Sequence, residues 1–112
     1  MSEKEQTVAI LKKAKLLLTE KGFTKGWFAK DADGHDIADI SPYAVCFCSY
    51  GAINRAACDL GLRDSYAGDI ATSALEKVVP TGVPEWNDAS DRTLEEVLAA
   101  FDAAITIVDG EG

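Results

Sequence analysis

The chain has 112 residues, 47% of them apolar and 27% charged, a size and balance that predict one soluble domain over residues 1–112 and exclude a disordered tail. Nineteen Asp and Glu against eleven Lys and Arg leave a net charge of −8, the wrong sign for holding nucleic acid through its phosphates. No stretch approaches the ~18 consecutive apolar residues of a membrane span, and the charged start from Met1 to Gln6 lacks the apolar run of a secretory signal, so a cytoplasmic protein is expected.

A first helix is predicted at about 3–20, because Ile10, Leu11, Ala14, Leu17 and Leu18 repeat at helical spacing and Gly22 follows as a stop. A hairpin is predicted at about 26–39, where Asp33-Gly34 separates two short runs. Asp31 and Asp33 also match the first and third positions of an EF-hand loop. Asp36 then stands where the sharp turn wants Gly and Pro42 where a bidentate Glu should bind, so calcium is not predicted. The apolar segment at about 43–60 is expected to form a buried central helix, with Gly51, Ala52 and Ala56 inviting close approach by another helix. Along its narrow polar strip stand Asn54, Arg55 and Asp59, the last two spaced for an i,i+4 ion pair.

A third helix is expected at about 65–79, with Tyr66, Ala67, Ile70, Ala71, Ala74, Leu75 and Val78 inward and Pro80 as its stop. The stretch from Pro80 to Arg92 is predicted as a long connection pinned to the core by Trp86. Thr93 and Glu96 form a capping-box pattern that opens a fourth helix at about 93–108. Leu94, Val97, Leu98, Phe101, Ile105 and Val108 share its inner face, while Glu95, Asp102 and Asp109 lie opposite. Ile107, away from the main face, is the candidate for a second neighbour or a homodimer contact. The expected fold is therefore mainly α: a compact four-helix domain with a short β-hairpin between helices 1 and 2.

The residues refuse most chemistry. The only histidine, His35, falls in the exposed hairpin; Cys46 and Cys48 on a helix would face about 200° apart, and with Cys58 they match no zinc spacing. These cysteines are expected as reduced, small apolar core residues. No Gly-rich phosphate loop occurs, and Asp88 and Asp91 are expected to support the helix that follows them. No catalytic residue, metal or cofactor is predicted. The candidate binding constellation is Trp27, the polar pair Asn54 and Arg55, and the run Trp86-Asn87-Asp88; the competing reading makes both tryptophans core anchors.

Gly26-Trp27, the turn at Asp31 to Gly34, the run from Phe47 to Ala56 with its Cys48-x-x-Gly51-Ala52 core, and Trp86-Asn87-Asp88 are followed by Arg92-Thr93, Glu96 to Leu98 and Phe101 to Ile105. Together they resemble a family of small uncharacterised bacterial and phage proteins, a domain of unknown function. The resemblance covers nearly the whole chain and implies a distribution in bacterial and mobile-element genomes, without implying a reaction.

The charge is lopsided. Residues 1–58 hold eight Lys or Arg and seven Asp or Glu, a balance of +1; residues 59–112 hold three and twelve, a balance of −9. The reading that follows is a non-enzymatic regulator or inhibitor presenting an acidic face, with Glu95, Asp102 and Asp109 as candidates, to a basic protein partner, without direct nucleic acid or membrane contact. The alternative is a small-molecule binding or catalytic pocket around the two tryptophans.

Overall fold

A computed structural model describes residues 2–110. Helix α1 (Glu3–Glu20) starts on Ser2, whose Oγ accepts the Glu5 N–H while the Glu5 carboxylate accepts the Ser2 N–H. Two backbone donors that the first helical turn leaves unpaired are thereby satisfied. Ile10, Leu11, Ala14, Leu17 and Leu18 are buried, as their spacing predicts. Gly22, at φ +131, lets the chain leave the helix in a conformation costly for other residues.

Three two-residue strands follow: β1 (Ala29–Lys30), β2 (Asp36–Ile37) and β3 (Cys46–Phe47), in the order β2-β1-β3 with both pairings antiparallel. The predicted hairpin is present, with Ala29 opposite Ile37 and Lys30 opposite Asp36. Its turn is held by Asp31 Oδ1, which accepts the N–H groups of Asp33 and His35, and by Gly34 at φ +82.

The third strand corrects the helix expected at 43–60. Cys46 and Phe47 pair with Lys30 and Ala29, and helix α2 is confined to Ser49–Asp59. Cys48 is its N-cap, with Sγ accepting the Gly51 N–H at 3.3 Å. A short apolar run suits a buried strand as well as a helix, and here the sheet takes it. Cys46 and Cys48 are correspondingly displaced from the expected helix, whereas Cys58 stays in α2; all three are free and only half-buried, not core.

Helix α3 (Ala67–Val78) buries Ala67, Ala71, Ala74 and Leu75, but Tyr66 lies outside it and is 75% exposed, contrary to its expected inward position. The predicted connection contains a short helix, α4 (Val83–Asp88), with Pro84 in its first turn, where a missing N–H costs nothing. The described residues thus form five helices and not four. Helix α5 (Leu94–Gly110) begins at the predicted box, Glu96 N–H to Thr93 Oγ1 and Thr93 N–H to Glu96 Oε1. It packs on both α1 and α3, and α1 also packs on α2 and α3. Ile10, Leu18, Phe47, Ile53, Leu75, Val97 and Phe101 are fully buried in the shared core. Among the described residues no helix is long and apolar enough to cross a membrane.

Candidate functional site

The site starts from a glycine. A Cβ on Gly51 would run into the Phe28 carbonyl oxygen, so only glycine lets the hairpin backbone rest on the first turn of α2. The close approach expected at Gly51 is therefore made by a loop, not by another helix. The same carbonyl accepts the Cys48 N–H at 3.0 Å. These contacts fix the stem on which Trp27 and Phe28 stand, 48% and 41% exposed, with their rings 5.7 Å apart and nearly perpendicular.

Asn87 locks α4 to this stem. Its Oδ1 accepts from Ser49 N (2.9 Å) and Ser49 Oγ (2.6 Å), and its Nδ2 donates to Thr24 O and to Asp88 Oδ1. Asp88 Oδ1 also accepts the Gly26 N–H at 3.0 Å. Asp88, the last residue of α4, therefore ties that helix to the loop at Gly26 and does not cap α5, the role expected from its position. Trp86 is buried, with Arg92 stacked 4.2 Å above its ring and donating to its carbonyl, which is the anchoring predicted for that indole.

Between these elements lies a cleft of about 130 Å³, walled by Trp27, Phe28, Tyr50, Val83 and Pro84, with Cys48, Asn87 and Asp88 supplying its polar atoms. Burial pushes the Cys48 thiol up, against the pull of the Gly51 N–H, and the Asp88 and Asp39 carboxylates push it further. Burial together with the hydrogen bond to Glu76 pushes Tyr50 up to about 12. Both groups stay protonated at neutral pH, and no His, Lys or Arg lines the cleft to take their protons. The arrangement suits binding better than nucleophilic catalysis.

The predicted constellation is divided by the fold. Trp27, Asn87 and Asp88 meet at the cleft; Trp86 is core. Asn54 and Arg55 do not reach it. They hold the loop after β2, Asn54 through Asp39 Oδ2 and Arg55 through the carbonyls of Asp39 and Ser41, with Arg55 also pairing with Asp59 as expected. Phe28, Tyr50, Val83 and Pro84 were not among the predicted site residues. The Gly51 and Pro84 positions are their sequence signals, a bulk-free residue at a close approach and a helix start.

Glu95, Asp102 and Asp109 are exposed along α5, although Asp102 accepts from Lys15 Nζ of α1 at 2.7 Å. In the hairpin turn, ligand atoms of Asp31, Asp33 and His35 lie within 4.8 Å of one another, on an exposed loop whose Asp31 already accepts two backbone N–H groups.

A family of unknown function, DUF6197, matches residues 2–107. The chain belongs to the DUF6197 family. The match spans α1 through most of α5, so the DUF6197 unit includes every element that builds the cleft. No curated protein and no solved structure matches this DUF6197 chain.

Proposed function

We propose that the protein is a small acidic, non-enzymatic interaction protein, a regulator or inhibitor, that presents the surface of residues 26–45 to a basic protein partner. One observation carries this reading. Among the described residues eight large apolar side chains are exposed, and five of them, Trp27, Phe28, Ile40, Tyr43 and Val45, fall in this one segment. Exposed apolar surface concentrated in this way is expected at a contact site. Carboxylates border it: Asp39 and Asp36, the latter paired with Lys30, line a second cleft beside Trp27 and Phe28, and Asp88 lines the first. The α5 acids Glu95 and Asp109 are secondary to it, since no exposed large apolar side chain of α5 accompanies them among the described residues. The bacterial, phage or mobile-element setting implied by the resemblance belongs to this proposal.

The test is titration of the ¹⁵N-labelled protein with a lysine- and leucine-containing basic peptide and with its glutamate counterpart. The basic peptide is expected to shift amides in residues 26–45 and α4, less so as salt is raised. Shifts confined to α5 around Glu95 and Asp109, or none with the basic peptide, overturn the assignment. A second reading, a small-molecule site, is favoured only by the apolar walls of the Trp27 cleft.

A further inference from the structure

We infer that the cleft between Trp27, Phe28, Tyr50 and Asp88 is a socket for one lysine ammonium of the protein partner. The inference rests on the interaction reading above and names what that surface recognises. Three aromatic side chains line a space of about 130 Å³. The negative faces of aromatic rings attract a cation, and Trp does so most strongly. At ~30 Å³ for each water in the liquid, the space equals about four waters, room for the end of one side chain.

The carboxylate decides the sign of the ligand. Asp88 Oδ1 is occupied by the Gly26 N–H and by Asn87 Nδ2, whereas Oδ2 has no hydrogen-bond partner among the described residues. The nearest basic residue in the chain leading to Trp27 is Lys25, and its Nζ is bound to the carbonyls of Ala89 and Ser90. The cleft wall thus carries the Asp88 carboxylate, and no Lys, Arg or His is among the residues that line it. Asp88 is exposed, so water reaches Oδ2 in the free protein; an ammonium replaces the water with a charge-assisted hydrogen bond, which a neutral apolar ligand cannot make, and an anion is repelled.

The same geometry favours ammonium over guanidinium. Arginine binds carboxylates best through two parallel N–H groups on both oxygens, and only one oxygen of Asp88 remains. A lysine ammonium is a compact point charge that needs one, and its methylenes can lie along Val83 and Pro84. The partner is a protein and not a free amine because the aromatic pair continues outward into the second cleft, with Ile37 and Ala38, where residues flanking the lysine find apolar surface.

The experiment uses capped glycyl-X-glycine peptides with X as lysine, norleucine, which keeps the four side-chain carbons and lacks the ammonium, or arginine. They are titrated into ¹⁵N-labelled wild type, Asp88→Asn and Trp27→Leu. Asp88→Asn keeps an oxygen for the Gly26 and Asn87 donors and removes the charge, so its unfolding midpoint checks that the scaffold is intact. The lysine peptide is expected to shift Gly26, Phe28, Tyr50 and the Trp27 indole N–H. Norleucine should bind about tenfold more weakly, arginine in between, and both variants should weaken lysine by about tenfold. Equal binding of norleucine, or unchanged lysine binding by Asp88→Asn, overturns the socket. If the longer basic peptide still shifts residues 26–45 in that case, the interaction reading survives without it; if it does not, both fall.

Discussion

Asn87 shows how a residue that resembles a functional motif can be structural. It is 2% exposed, and both ends of its amide are bonded, to partners 38 and 63 positions away as well as to its neighbour Asp88. Truncation to Ala leaves the Ser49 N–H without its acceptor in a buried setting and opens a small void. The expected loss is about 2–4 kcal/mol, of which the orphaned donor accounts for ~1–3 kcal/mol. Urea denaturation should show a lower midpoint with an unchanged slope; a midpoint equal to wild type would mean that other groups take over the Ser49 donors. The conspicuous Trp86-Asn87-Asp88 run therefore divides three ways: a core anchor, a buried staple, and a carboxylate on the cleft wall. No sequence spacing separates those roles, because the partners that distinguish them are contributed by Thr24, Gly26 and Ser49.

At the scale of elements, what the sequence revealed follows periodicity and caps. The long helices α1 and α5 were legible because each repeats its apolar face over several turns, with Gly22 following α1 and the Thr93 to Glu96 pattern opening α5; the Ser2 to Glu5 box of α1 emerged only in the structure. Helix α4 was hidden because six residues are too few to show a period, and the start of α2 because a Cys N-cap is not a familiar signal beside Ser, Thr, Asp or Asn. The α5 cap also has a pH signature. The Thr93 N–H first, then its hydroxyl and Arg92, hold the Glu96 carboxyl below its ordinary value of 4.5. A carboxyl whose folded value is depressed stabilises the fold above its unfolded value and loses that contribution as pH falls through the folded value. Glu96→Gln can keep the box's hydrogen bonds but not the charge. Wild type is expected to exceed the variant in urea midpoint at neutral pH, with the gap closing below pH 4.5. A gap that is independent of pH would assign the effect to shape and not to charge.

Across the whole molecule part of the lopsided charge is taken up in local contacts. Acids of the second half are tied to partners in several places: Asp59 to Arg55, Glu76 to Tyr50, Glu96 to Arg92 and Asp102 to Lys15. The net charge of −8 still acts at long range, in a fold whose radius of gyration is 12.9 Å. Two like charges ~18 Å apart in water repel by about 0.2 kcal/mol, and an expanded unfolded chain relieves much of that repulsion. Raising the ionic strength from about 0.01 M to about 0.15 M shortens the screening length from ~30 Å to ~8 Å, which removes most interactions at that distance. The folded state is expected to gain about 1–2 kcal/mol over this range. Surface ion pairs oppose the gain, but each contributes only about 0–1 kcal/mol and acts over a distance shorter than the screening length. The urea midpoint should therefore rise with salt while binding of the basic peptide weakens, opposite responses from the same excess of carboxylates. A midpoint that falls with salt would show that the contacts at Lys15, Lys30, Arg55 and Arg92 outweigh the repulsion, making the acid excess part of what holds the fold together.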